Sequence, residues 1–287
     1  MDFIPGGELF YHLNLRKRLS EEAAKLYMGE IILALNYLHK NNIIYRDLKV
    51  YSYHFLFIFQ PENILLDIDG HLHLTDFGLC KTVNNKHDLN YTFCGSPEYM
   101  APEVITRHGY NFSVDFYCLG ILIYEMVVGQ PPFLGNSQSD LFNKIIEHEL
   151  YFPSYISPTL KQFLTQILAR NPEERLGAKD GLSEIVNHPW CQNIDLVKIV
   201  SKKFKAPIVP DIYKTNFSRE FLDAELKVEE NETRITIQKP SRNNLDVENS
   251  KLFGKFANFS FYENVEDPYD KYIDSIFVSD NNTPDSS

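Results

Sequence analysis

Between Tyr45 and Gly78, charged and amide side chains are set into apolar sequence at tight spacing. Tyr45-Arg46-Asp47-Leu48-Lys49 opens the stretch, Pro61-Glu62-Asn63-Ile64-Leu65-Leu66 continues it, and Leu74-Thr75-Asp76-Phe77-Gly78 closes it. Ile64–Leu66 and His71–Leu74 read as two short strands around an Asp69-Gly70 turn. Such a hairpin holds Asn63 and Asp76 at neighbouring ends. Val50 to Gln60 separates the first two runs by eleven residues rich in Phe, Tyr, Leu and Ile. If Asp47, Lys49, Asn63 and Asp76 act together, an apolar interruption of eleven residues lies among them.

The chemistry that suits this set is phosphoryl transfer. That reaction needs a nucleophile aligned with a phosphate whose negative charge is neutralised. Asp47 suits acceptance and orientation of a hydroxyl. Lys49, two residues on, can face the same site and stabilise the transferring phosphate. Asn63 and Asp76 offer hard oxygen ligands of the kind Mg²⁺ takes. Each residue alone carries little information, and Asp-Phe-Gly by itself is more often an ordinary turn. Their order, followed by Ala101-Pro102-Glu103, matches a mechanistically understood motif set.

With Val50–Gln60 removed, the stretch resembles the catalytic loop and metal loop of a protein kinase. The segments Asp76-Phe-Gly-Leu-Cys-Lys81, Thr92-Phe-Cys-Gly-Ser-Pro-Glu-Tyr99 and Arg175-Leu-Gly-Ala-Lys-Asp-Gly181 narrow the likeness. It is to AGC-group serine/threonine kinases, nearest the serum/glucocorticoid-regulated kinase and protein kinase B branch. The resemblance covers roughly residues 1–261. It implies an α+β, protein-kinase-like fold of which this chain is the mainly helical large lobe. It also implies ATP and Mg²⁺ as cofactors, protein substrates with basic residues upstream of the phosphorylated Ser or Thr, and an upstream activating kinase. The expected setting is cytoplasmic signalling.

The same resemblance assigns roles by motif position. Asp47 and Lys49 are catalytic, and Asn63 and Asp76 hold the metal. Met1 is the gatekeeper, and Asp2 and Ile4 are hinge residues facing adenine. Leu65 and Thr75 belong to the nucleotide site. Glu8 lies near the ribose and a substrate arginine, and Glu62 and Glu125 bind further basic residues. For these glutamates the bland alternative is a solvated face or a helix cap. Thr92 is the activation-segment phosphosite, whose phosphate pairs with Arg46 to order the segment. Glu103 and Arg175 form a buried ion pair, and Asp115 tethers the catalytic loop. Phe256-x-x-Phe259-Ser260-Phe261 resembles the hydrophobic motif of AGC tails, with Ser260 as its phosphosite. Asn216-Phe217-x-x-Glu220-Phe221 resembles the tail segment passing near the nucleotide, although Ser218 replaces the usual aspartate. Ser241 is a weaker turn-motif candidate.

Two departures set limits. The chain starts at the expected hinge, and neither GxGxxG nor VAIK occurs in it, so the small lobe that covers ATP phosphates is absent from these residues. Asn63 also follows Asp47 by 16 positions rather than the family's five. Lys49 can end AG, Val50 begins GT, and Phe59-Gln60 can be encoded as a pyrimidine run ending CAG. We therefore read Val50–Gln60 as a translated intron of 33 nucleotides; a genuine regulatory insertion is the alternative. The rival functional class is a catalytically inactive, kinase-like scaffold. Retention of Asp47, Lys49, Asn63 and Asp76 argues against it, and the genomic sequence upstream of Met1 discriminates.

The rest of the chain fits this frame. Its 287 residues and 44% hydrophobic content suit one or two globular domains. The net charge is −11 with no Lys/Arg-rich run, which disfavours nucleic-acid binding. Residues 262–287 alone hold seven Asp or Glu and one Lys. Eleven apolar residues cannot cross a bilayer, and no signal peptide precedes the first motif. Cys80, Cys94, Cys118 and Cys191 form no CxxC pair, so reduced thiols are expected.

Helical spacing predicts a helix capped by Ser20 and running to about His39, and an all-round apolar helix over Ser113–Val128 closed by Gly129. Further helices are expected near Ser139–His148, Thr159–Ala169 and Ser183–Val186. Lys81–Tyr91 reads as a long loop, and the chain beyond Asp195 as an extended tail. The expected organisation is a catalytic domain over 1–190, an AGC-type tail over 191–262 and an acidic tail over 263–287.

Overall fold

α2 (Glu21–Lys40) and α4 (Ser113–Val128) pack against each other and form the middle of the structure. The computed structural model describes residues 4–49, 63–85, 88–211, 213 and 216. α2 starts where Ser20 accepts a hydrogen bond from Ala23 N, with Glu21 and Glu22 in the first turn complementing the helix dipole. Its apolar stripe, including Ala24, Tyr27, Met28, Ile31 and Leu35, is buried. α4 has no polar face, and every residue from Ser113 to Val127 is buried. It ends at Gly129, whose φ of 92° is left-handed; a Cβ there would lie 2.3 Å from Lys17 O. Leu19 N donates to Met126 O at 2.7 Å, tying the entry of α2 to the end of α4.

Shorter helices surround this pair: α1 (Leu9–Arg16), α3 (Pro102–Ile105), α5 (Gln138–Glu147), α6 (Pro158–Ile167), α7 (Leu182–Val186) and α8 (Leu196–Val200). Ser137 and Ser157 cap α5 and α6 with their hydroxyls. Among the described residues there are two small antiparallel sheets. β2 (Ile64–Leu66) pairs with β3 (Leu72–Leu74) in the register Ile64↔Leu74, as the hairpin reading requires. The architecture is thus the mainly helical α+β arrangement anticipated above.

Two expectations need correction. The Lys81–Tyr91 stretch is not all loop. Lys81–Thr82 forms β4 against β1 (Ile43–Ile44), and Asn90 bridges Tyr110 in both backbone directions at 2.9 Å. Both β4 residues are exposed, so no apolar pattern marks the strand. The chain beyond Asp195 is not simply extended either. Asp195 caps α8, and Ile199 of α8 is buried against Gly29, where a Cβ would sit 2.4 Å from Ile199 Cδ1. Missing side-chain bulk on α2 admits this short helix, a complementarity that periodicity does not register.

Among the described residues no helix is long and apolar enough to cross a membrane. All four cysteines are free thiols, with Cys118 and Cys191 buried. Met1, Asp2, Val50–Gln60, Glu62, Ser218, Ser241, Ser260 and the Phe256–Phe261 cluster lie outside the described residues.

Candidate active site

The Tyr45–Lys49 loop leaves β1 and turns sharply, with Arg46 in a left-handed conformation at φ 70°. A non-glycine residue there needs compensating bonds. Asp115, in the first turn of α4 and fully buried, provides them: its Oδ2 accepts from Tyr45 N at 2.9 Å and its Oδ1 from Arg46 N at 2.8 Å. His39 Nε2 lies 2.7 Å from the same Oδ2. Tyr45 is buried, and its hydroxyl donates to Thr75 O at 2.5 Å, joining this loop to the start of the Asp76-Phe77-Gly78 turn.

Asp47, Lys49 and Asn63 meet despite the interruption between them. Lys49 Nζ is 3.1 Å from Asp47 Oδ2. Asn63 Nδ2 donates to Asp47 Oδ2 at 2.6 Å and to Asp47 O at 2.8 Å. Asp47 is 5% exposed and Asn63 is fully buried, yet Asp47 Oδ1 and Asn63 Oδ1 have no hydrogen-bond partner among the described residues. A buried acceptor left open is costly unless something else fills it. Thr75 N donates to Asn63 O at 2.9 Å, so Asp76 follows directly on the residue bonded to Asn63. Asp76 is exposed at φ 53°, with Oδ1 accepting from Gly78 N at 2.9 Å.

Other candidates fall close by or apart. Glu8 pairs with Leu65 in an antiparallel bridge, placing both at the edge of the hairpin, and Ile4 is half-buried at the chain's described start. His12 Nε2 binds Gly6 O at 2.7 Å and steadies that turn. Glu125 is 3% exposed, not on a solvated face, and Tyr99 OH donates to its Oε2. Burial pushes its carboxyl up to about 7, against the lowering effect of the Tyr99 bond; nearby Glu98 adds to the rise. Thr92 is exposed. Arg46 does not wait as a free cation: it donates through Nε to Leu79 O at 2.5 Å and through Nη1 to Tyr110 OH at 2.9 Å. Tyr110 OH in turn donates to Thr92 O at 3.0 Å, so a phenol links Arg46 to the Thr92 backbone.

Glu103 and Arg175 form a bidentate pair at 2.7 and 2.8 Å. Arg175, 1% exposed, also reaches Ala169 O at 3.1 Å and Ser113 O at 3.0 Å. This pair lies outside the Asp47 cluster. His39, Tyr99 and Tyr110 were missed by sequence reasoning. Their partners lie 76, 26 and 18 or more positions away, and no local pattern announces them.

The residues present suit a Mg²⁺-bound nucleotide. Among the described residues no three His, Cys, Asp or Glu gather as a metal cage. The open set is instead oxygen from Asn63, Asp47 and the exposed Asp76, and few protein oxygens supplemented by phosphate is the usual manner of binding Mg²⁺.

Comparison with known proteins agrees with this geometry. The protein kinase domain family matches residues 1–191. The chain is 46% identical over 212 residues to Protein kinase 2 of Dictyostelium discoideum, covering 74% of this chain and 42% of that protein. It is 44% identical over 223 residues to serine/threonine-protein kinase gad8 of Schizosaccharomyces pombe, covering 76% and 37%. It is 40% identical over 230 residues to serine/threonine-protein kinase sgk-1 of Caenorhabditis elegans, covering 79% and 47%. The chain thus spans less than half the length of each of these relatives. Motifs, site geometry and these matches converge: the chain belongs to the protein kinase domain family, and its likeness is to AGC-group serine/threonine kinases of the Sgk type.

Proposed function

We propose that this chain is the substrate- and metal-binding lobe of a protein serine/threonine kinase that transfers the γ-phosphate of ATP to Ser or Thr. The observation that carries the proposal is the buried Asp47–Lys49–Asn63 cluster with two open acceptor oxygens. Asp47 Oδ1 accepts and orients the substrate hydroxyl, and Asn63 Nδ2 fixes the carboxylate through Oδ2. Lys49, held on Asp47, places a positive charge where the phosphate departs from its carrier. Asn63 and the Asp76 carboxylate would hold Mg²⁺, which would supply neutralisation of phosphate charge. Leu65, Ile4 and Thr75 are assigned to the nucleotide by motif position, as are Met1 and Asp2 outside the described residues.

Substrate selection falls to acidic groups. Glu8, Glu62 and Glu125 receive basic residues upstream of the phosphorylated position. Phosphorylation of Thr92 by an upstream kinase adds charge beside an activation segment already joined to Arg46 through Tyr110. Ser260 is a second regulatory site in the tail. The protein acts inside the cell, in the cytoplasm.

The test is a kinase assay on a basic peptide. Four proteins are compared: residues 1–287, the same chain without Val50–Gln60, a longer product including the upstream coding sequence, and its Asp47→Asn variant. Residues 1–287 alone are expected to show little turnover, because GxGxxG and VAIK do not occur in them. The longer product is expected to transfer phosphate in an Asp47-dependent manner. Undiminished transfer by Asp47→Asn would overturn the assignment. Transcript sequencing across Val50–Gln60 tests the intron reading, which fails if most messages carry the 33 nucleotides.

A further inference from the structure

A pair of three-residue strands is marginal on its own in water. β2 and β3 therefore take their position from what binds the turn between them. α2 supplies two side chains for this. Tyr27 OH donates to Gly70 O at 3.2 Å while accepting from Ile208 N at 3.1 Å. Gly70 is left-handed at φ 91°, and a Cβ there would lie 1.7 Å from Ile208 O, so the later chain packs directly on the turn. Glu30 is the second. Its side chain is 9% exposed and both its oxygens are engaged: Oε1 with His71 Nδ1 at 2.6 Å, and Oε2 with Leu72 N at 2.9 Å. Burial raises the Glu30 carboxyl, and these two bonds pull the other way. On the far side of the turn Phe204 meets the His71 ring edge-on at 5.0 Å. Lys202 Nζ bonds Asp67 Oδ2 at 2.8 Å, and Asp67 Oδ1 accepts from His71 N at 2.9 Å.

We infer that Glu30 is a positioning residue for Asn63 and Asp76, acting through β3 on the open end of the hairpin. The inference deepens the metal-holding role proposed above and rests on it for its functional meaning. Glu30 fixes the first residue of β3 by its backbone N–H. Leu72–Leu74 then pairs residue by residue with Leu66–Ile64, and Thr75 N closes the ladder on Asn63 O. Three residues of extended chain carry the constraint about 10 Å. Strand register is all-or-none in its effect, since a slip by one residue turns every side chain to the other face. Tyr27 and Lys202 hold the turn, whereas the Glu30 carboxylate grips β3 itself. Without it, Leu72 N and the His71 ring lose a buried partner. The short strands must then settle elsewhere, taking the Asn63 carbonyl and the Asp76 turn with them.

The test uses ¹⁵N-labelled residues 1–287 and the side-chain amide resonance of Asn63, identified by its loss in Asn63→Asp. Because that amide donates twice to Asp47, its position reports the placement of Asn63 directly. Glu30→Ala is expected to displace or broaden this resonance and to speed exchange of the Thr75 amide about tenfold. Glu30→Gln, which keeps an acceptor for Leu72 N, is expected to restore both. An Asn63 resonance unmoved in folded Glu30→Ala overturns the inference. If Glu30→Ala does not fold, His71→Gln is read instead: a smaller displacement in the same direction supports the inference, and none overturns it. Titration of the parent protein with Mn²⁺ tests the metal reading separately. Absence of paramagnetic broadening at Asn63 would refute that reading, while the position of the amide still decides the role of Glu30.

Discussion

The first turn of α4 serves two buried polar centres two residues apart, and they are built on opposite plans. Ser113 joins the Glu103–Arg175 pair, in which all three guanidinium nitrogens have partners and both Glu103 oxygens are taken. Asp115 anchors the Tyr45–Lys49 loop, and Asp47 and Asn63 each keep one buried oxygen without a partner among the described residues. A closed network holds a fold together, and removing one member strands the rest. An open network leaves acceptors for a bound group, the role proposed above for Asp47 and Asn63. On that proposal the contrast separates residues that keep this lobe folded from those that serve the reaction, although both sets are buried and polar.

The comparison would be broken most decisively at its closed side. Arg175→Ala should lower unfolding free energy in urea by about 3–5 kcal/mol, because Glu103 is left charged and buried; a loss under 1 kcal/mol would remove the distinction. Glu125 tests the next level through pH. Its folded value of about 7 lies above the unfolded 4.5. The folded state therefore binds this proton more tightly, and the associated stability is full below about pH 4.5 and lost as pH rises through 7. The swing is up to about 3 kcal/mol. Glu125→Gln should flatten it and be the more stable protein at pH 8, measured by denaturation at pH 5 and pH 8. Asp115→Asn replaces an acceptor with a donor facing two backbone N–H groups. We expect a loss of about 2 kcal/mol, with faster amide exchange at Tyr45 and Arg46. Asp47→Asn should move stability least, by about 1 kcal/mol, because the amide keeps an acceptor for Asn63 Nδ2 and what is weakened is the charge pair with Lys49. In the longer product the same change should cost nearly all transfer activity. A large stability loss there would place Asp47 among the scaffold residues.

Much of this lobe is legible in its sequence, and the exceptions share a cause. Ser20, Gly129 and the Asp69-Gly70 turn act through bonds within a few residues, so local chemistry predicts them. The all-apolar run of α4 announces its own burial. The Lys81–Thr82 strand, by contrast, is exposed and two residues long, and exists because Ile43–Ile44 lies beside it. α8 depends on the gap at Gly29. Within the site, Asp47, Asn63 and Asp76 stand out by motif, whereas Tyr110 and Glu30 contribute through partners 18 to 64 positions distant. Nothing local distinguishes Glu30 from the other acids of α2.

The junction between Lys49 and Asn63 has a consequence for how such genes are recognised. Asp47 and Asn63 are 2.6 Å apart in space and 16 positions apart in the chain. A search that insists on a fixed linear interval would discard this protein, whereas one keyed to spatial contacts would keep it. Lengthening a flexible loop about threefold costs only about 1 kcal/mol of closure entropy, so added length by itself does not separate Asp47 from Asn63. Linear spacing is therefore a weak signal for this pair, and contact in space is the stronger one.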